Sequence, residues 1–331
     1  MEHKRFEWID IMKGIGILLV IIGHYYSVSY LSFIIYSFHM PLFVWVSGYL
    51  FKEEPVKRKT CKIIRKIGIP YLLTWIAVTG VFLLLAIVKS YFQNQQVSFL
   101  QLLLAQIKAF LFGYGNTTNG IQGVDAIWFL ASLMMAEIGL NILMKIKNRL
   151  LLGVVITAIY IVGYLLSSRF TMPLYLVGGG TAFLLWLFVG MLFREKEIHI
   201  KTWMIMVAFG VWLAILLLEI KLNTPLNIDR INIYGLENVG ALAAIIVVRG
   251  VCEHIQNFPL RIVKWMGKNS LYILCVHSFD ISIISRVLNR IPAPTFVLFI
   301  IKLVIDVMGA YVLVKLFNNA KWMVVLREGR E

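Results

Sequence analysis

The chain has 331 residues, 60% of them hydrophobic, with a mean hydropathy of +0.82. Its apolar runs repeatedly reach the roughly 18–20 residues that cross a hydrocarbon core, which excludes a water-soluble globule. A net charge of +15 would suggest nucleic acid in a soluble protein. Here Lys and Arg gather in short segments between apolar runs, where they set orientation, so no nucleic-acid partner is expected.

Apolar runs bounded by charge, Pro or Gly predict about ten transmembrane helices. They lie near 8–26, 34–51, 68–89, 126–144, 150–167, 175–193, 203–221, 236–254, 270–288 and 294–317. With the N-terminus inside, the connections on that side and the adjoining Arg249 hold 22 Lys and Arg, against seven on the other side. So large a bias predicts both termini in the cytoplasm. The expected fold is an all-α polytopic membrane protein in the cell membrane, with 1–331 as a single integral-membrane domain. Segment 97–113, VSFLQLLLAQIKAFLFG, cannot be an eleventh span, because both flanking helices present their ends outside. It reads as an extra outer-leaflet helix, interfacial or re-entrant, continued by a glycine-rich loop. Cys61, Cys252 and Cys275 show no CxxC or metal-type spacing, so neither a disulfide framework nor a metal is expected.

The first span, IDIMKGIGILLVIIGHYY, carries Asp10, Lys13 and His24. Eleven residues at 100° each make three turns plus about 20°, so Lys13 and His24 share one helix face about 16 Å apart. Asp10, three residues before Lys13, can offset the cost of burying it. The second span, SFHMPLFVWVSGYLF, places His39 within the membrane beside Pro41, which cannot donate to the Ser37 carbonyl and should kink the helix there. Counted at 1.5 Å per residue, His24 and His39 reach depths of about 24 and 18 Å. Two imidazoles at similar depth suit chemistry on a hydroxyl, since histidine can take a proton and return it, or accept an acyl group. Two membrane helices joined by a polar pair, with Ser47 and Gly48 allowing close approach, would show the same residues.

Further along, the segment KEEPVKRKTCKIIRKIGIP holds seven basic residues and ends at Pro70. A polyanionic cofactor such as coenzyme A would suit it, as would lipid headgroups. Glu137 lies one turn before Asn141 and can pair with a lysine or line a polar cavity. His277 sits mid-helix with Asp280 three residues on, a pattern that serves helix packing as well as a site. Glu219, Glu237 and Asp306 suggest no role. In the outer loop Tyr114, Asn116, Asn119 and Trp128 offer the aromatic faces and amides that sugars favour.

Three blocks together resemble the membrane-bound acyltransferase-3 family, and within it the fucose 4-O-acetylase-like branch. They are R-x-x-x-I-D-x-x-K-G-I-G-I-x-L-V-I-I-G-H, then F-H-M-P-L-F-x-W-x-S-G-Y-x-F, then the basic run into R-K-I-G-I-P-Y. Trp128-Phe129-Leu130 and G-K-N-S-L-Y-x-L-x-V-H over 267–277 also fit, and agreement is dense over roughly the first 75 residues. The resemblance implies transfer of an acyl group, usually acetyl from cytoplasmic acetyl-CoA, to a hydroxyl of a cell-surface glycan or its lipid-linked precursor. It places Lys13 at the family's arginine, with His24 in register, so the charge is kept and the planar fork lost. By this reading His24, Lys13 and His39 are catalytic and Arg65 and Lys66 bind the cofactor. Trp128, Glu137 and Asn116 meet the acceptor, and the partners are acyl-CoA, a glycan or lipid-linked sugar, and membrane lipids. The competing class is a transporter or exporter of a small polar or lipid-linked solute, since buried charge and kinked helices also line transport routes.

Overall fold

The computed structural model describes residues 6–25, 30–93, 98–116, 120, 123–223 and 235–319, which form helices and, among themselves, no strand. In chain order these are α1 (Glu7–Tyr25), α2 (Tyr30–Tyr36), α3 (His39–Tyr49), α4 (Val56–Ile63), α5 (Ile69–Gln93), α6 (Phe99–Phe112), α7 (Trp128–Leu143) and α8 (Arg149–Arg169). There follow α9 (Gly179–Glu195), α10 (Thr202–Leu222), α11 (Leu236–Ile255), α12 (Arg261–Lys268), α13 (Ser270–Phe279), α14 (Ser285–Leu288) and α15 (Thr295–Asn319). A π-helical turn, Ile64–Gly68, joins α4 to α5, and a second, Asp280–Ile284, joins α13 to α14.

Nine stretches of the described residues are long and apolar enough to cross a membrane, and each falls on a span predicted from the sequence. The chain is thus an all-α polytopic membrane protein. The remaining predicted span is α9, whose 17 residues give a rod about 26 Å long, a little short of a hydrocarbon core. Residues 174–178 stay out of it because they form turns on the Pro173 carbonyl, which accepts from the Leu176 and Val177 amides at 3.0 and 3.2 Å. The predicted interfacial segment is α6, 14 residues capped at its start by the Ser98 hydroxyl, which accepts from the Gln101 amide, and ended by Gly113 at φ +62°. Such caps stop a helix where its apolar run could have continued.

The chain forms two compact units. The first comprises Met1–Lys52, Ile146–Tyr164 and Ala182–Ser270, the second Glu53–Lys145, Leu165–Thr181 and Leu271–Glu331. Within the first unit α1 packs most closely on α12 and also meets α3 and α11. Lipid is as apolar as leucine, so helices in a membrane associate through close fit and polar contacts, and small residues mark where backbones touch. A Cβ on Gly267 would stand 1.7 Å from the Asp10 carbonyl oxygen, and one on Gly14 would stand 2.1 Å from the Val263 carbonyl oxygen. The glycines of two distant sequence blocks are therefore the two sides of one α1–α12 contact. Lys264 of α12 adds an ion pair with Glu7. Gly48 has a different neighbour from the one expected of it: its α-carbon faces the Leu187 backbone of α9, where an added Cβ would lie 2.1 Å from the carbonyl oxygen.

In the second unit α6 lies along α5. The Tyr71 hydroxyl donates to the Phe110 carbonyl at 2.9 Å, the Trp75 indole donates to the Gln106 carbonyl at 3.1 Å, and Tyr71 stacks on Phe110 at 4.8 Å. The segment before α4 is clamped to α7 by one side chain. Buried Asn141 donates to the Glu54 carbonyl at 2.9 Å and accepts from the Glu54 amide at 3.2 Å.

Candidate active site

Lys13 and His24 belong to α1, which is unbroken between them, so the face they share by helical period is the face they share in the fold. Lys13 is half-buried, one turn beyond buried Asp10, and His24 is exposed near the helix end. The kink expected at Pro41 is a full break. α2 ends at Tyr36, two residues turn, and α3 begins at His39 with Pro41 in its first helical turn, where a missing amide proton costs nothing. Three bonds hold this break: the Ser37 hydroxyl donates to the Ile34 carbonyl at 2.8 Å, the Trp212 indole donates to that hydroxyl at 3.0 Å, and Leu42 closes on the Phe38 carbonyl at 2.9 Å.

His39 is 3% exposed. Its Nδ1 lies 2.9 Å from the Ile35 carbonyl, which can only accept, so Nδ1 carries the proton and Nε2 carries the lone pair. Tyr36 meets the ring edge-on at 5.0 Å. His24 is near enough for its charge to act on His39, so the first unit brings together the two imidazoles singled out in the sequence. A lone pair oriented by a backbone bond, within electrostatic reach of a second imidazole, suits proton transfer to or from a hydroxyl.

In the sequence Arg249 stands only as a topology marker, yet in the fold it is 3% exposed. Its guanidinium lies over three rings of the same unit, Trp8 at 5.1 Å, Tyr49 at 5.4 Å and Trp45 at 5.8 Å. Nε donates to Glu253 at 2.8 Å and Nη2 to the Ile198 carbonyl at 2.7 Å. The signal for it was present as aromatic residues Trp8, Trp45 and Tyr49, but nothing local ties them to residue 249.

The other predicted residues lie in the second unit. Arg65 and Lys66 are exposed on the first π-helical turn. Glu54 takes up part of the neighbouring basic charge, with Lys62 at 2.8 Å and Arg58 at 3.4 Å, and the Lys62 hydrogen bond holds its carboxyl below the ordinary glutamate range. Lys66 and Lys59 both act electrostatically on Glu137, so an expected cofactor residue and an expected acceptor residue are neighbours. Asn116 is exposed, and Trp128 is half-buried against Gly115 and Gly179. The loop bearing them is tied down by the Val124 amide on the Tyr114 carbonyl at 2.7 Å and the Tyr114 hydroxyl on the Met172 carbonyl at 2.6 Å. Asn119 lies outside the described residues.

Residues 6–315 match the acyltransferase domain of the acyltransferase-3 family. No curated protein and no solved structure matches the chain. The match runs across both units and takes in all the residues weighed above, and so the chain belongs to the acyltransferase-3 family of membrane acyltransferases.

Proposed function

We propose that the protein moves an acetyl group from cytoplasmic acetyl-CoA to a hydroxyl of a cell-surface or lipid-linked glycan, as an O-acetyltransferase of the fucose 4-O-acetylase-like kind. The observation that supports this reading is the pair of imidazoles. His39, with its Nε2 lone pair set by the Ile35 carbonyl, lies within electrostatic reach of His24, and His24 shares a helix face with Lys13. His24 takes the proton of the attacking hydroxyl, or the acyl group itself, and His39 supports it in that exchange. Lys13, about 16 Å along the same helix, meets the thioester or phosphates of the donor. Arg65 and Lys66 attract the cofactor's phosphates. Trp128 and Asn116 contact the acceptor sugar, and Glu137 tempers the charge of Lys66. Both termini lie in the cytoplasm.

A transporter would need no acyl donor, so the cofactor separates the two classes. Calorimetric titration of the detergent-purified protein with coenzyme A is expected to show binding that weakens when Arg65 and Lys66 are both replaced by Glu. Absence of binding at millimolar coenzyme A, by protein shown to be folded, would remove direct use of acyl-CoA.

A further inference from the structure

In the second unit three helical segments bring together His277 of α13, Asp280 at the start of the second π-helical turn, and Asp306 of α15. All three are fully buried, and one ligand-type atom from each lies within 4.8 Å of the others. His277 Nδ1 is 2.7 Å from Asp306 Oδ2. The other Asp306 oxygen, Oδ1, is buried and accepts no hydrogen bond from the described residues. A buried carboxylate oxygen without a donor costs several kcal/mol at membrane depth. Ser285 donates to Asp280 at 3.1 Å. Asp125, an aspartate held at φ +49°, accepts from Ser282. Among the described residues the buried cation within electrostatic reach of Asp280 and Asp306 is Lys302, whose ammonium also donates to Asn289 at 2.8 Å, whereas Arg286 lies exposed over Phe82. Asp280 and Asp306 thus converge on one buried ammonium and one imidazole, with Asp125 also within electrostatic reach of the imidazole. The π-helical turn supplies the local cause, because its extra residue turns Asp280, Ser282 and Ser285 all inward, and such turns recur where a helix builds a site.

We propose that His277, Asp280 and Asp306 bind one divalent transition-metal ion. The ion takes the place of the proton shared by His277 Nδ1 and Asp306 Oδ2, and that proton leaves to solvent. Imidazole with carboxylates is a donor set for Zn²⁺ or Mn²⁺. Bonds of about 2.1 Å at angles near 90–109° set neighbouring ligand atoms about 3.0–3.4 Å apart, so the 2.7 Å pair must open by a few tenths of an ångström and the 4.8 Å spread must close by up to about 1.4 Å through side-chain rotation. Two carboxylates and a neutral imidazole balance the ion's charge, and bidentate coordination by Asp306 gives Oδ1 the partner that it lacks among the described residues.

The test uses the full chain, untagged, in detergent, stripped with a chelator and dialysed, with Zn²⁺ and Mn²⁺ as probes. Calorimetry is expected to show one saturable equivalent per chain, with about one proton released, read from the difference between two buffers of unlike ionisation enthalpy. Asp306→Asn and Asp280→Asn should each weaken binding at least tenfold. Wild-type protein that binds neither ion saturably at millimolar concentration overturns the proposal, and that result holds even if a variant fails to fold. Binding that survives in both Asn variants, as at the exposed Cys61, also overturns it. None of these outcomes depends on the acyl-transfer reading.

Discussion

Gly267→Ala measures how far the α1–α12 contact governs the Lys13 end of the first helix. The new Cβ would stand 1.7 Å from the Asp10 carbonyl oxygen, where ordinary contact begins at 3.4 Å, and 2.9 Å from the Gly14 nitrogen. Both obstacles are backbone, so no side chain can rotate away and the two helices must part by more than an ångström. Overpacking of this kind costs about 1–3 kcal/mol or more, against which the better helix propensity of alanine returns about 1 kcal/mol. An overlap this deep, on backbone, takes the upper end of that range, so the net is a loss of about 2 kcal/mol. Gly80→Ala in α5 is the control, because no atom lies within 4 Å of its would-be Cβ and the propensity gain of about 0.5–1 kcal/mol should appear alone. Thermal unfolding of both variants in one detergent, followed by the loss of monodisperse protein on size exclusion, should move in opposite directions. Since Asp10 precedes Lys13 by one turn, Gly267→Ala should also lower acyl transfer far below its melting range. A Gly267→Ala protein as stable as Gly80→Ala would show that the contact yields easily and would refute the reasoning.

His24→Ala should abolish acylation of the acceptor glycan, read by mass spectrometry, in protein that still purifies as a monodisperse species; unchanged acetate content would remove His24 from the mechanism. His39→Ala should be nearly as damaging, with some loss of stability because the Ile35 bond goes with it. Lys13→Arg should keep substantial activity and Lys13→Met should lose it, so equal activity in the two variants would reduce Lys13 to a packing residue. Arg249→Lys should destabilise the first unit by about 1–3 kcal/mol, since an ammonium cannot bond Glu253 and Ile198 while lying flat against three rings. For Glu54, the folded carboxyl lies below its unfolded value, so the Lys62 pair stabilises above the ordinary carboxylate range and the benefit is lost as pH falls through the folded value. The gap in unfolding temperature between wild type and Lys62→Met, corresponding to about 0.2–1 kcal/mol near neutrality, should therefore close under acid.

How much of this was legible depended on how local each cause is. The spans, the shared face of Lys13 and His24 and the interruption beside Pro41 follow from helical period, hydropathy and the proline rule, each of which acts within a few residues. The short α9 was less visible, because the turns that delay its start rest on the Pro173 carbonyl and on backbone that reads as apolar. Gly267 stood in a recognisable block, but its partner, the Asp10 carbonyl, lies at the other end of the chain. Arg249 and the His277–Asp306 pair were missed for the same reason. At the end of a span an arginine and a topology marker look alike, and His277 with Asp280 looks like a helix-packing pair until α15 delivers Asp306.

Arg249 and Asp306 meet the cost of a buried charge by opposite routes, and the contrast bears on which of them is a site. The guanidinium spreads its charge over three aromatic faces, one carboxylate and one carbonyl, so the surrounding structure already supplies most of what water would have given. That is the pattern of a structural anchor, with Nη1 the one guanidinium nitrogen that lacks a hydrogen-bond partner among the described residues. Asp306 has one oxygen on His277 and the other on nothing described, with further carboxylates close by and an imidazole that can carry a proton or yield it. Such an arrangement is short of positive charge even with Lys302 within reach, and a membrane protein that keeps it gives up stability at that point. Buried polar groups that stay incompletely satisfied in a fold otherwise built on close contacts are where function is to be sought. By that criterion the second unit holds a centre of its own, in addition to the imidazole pair of the first.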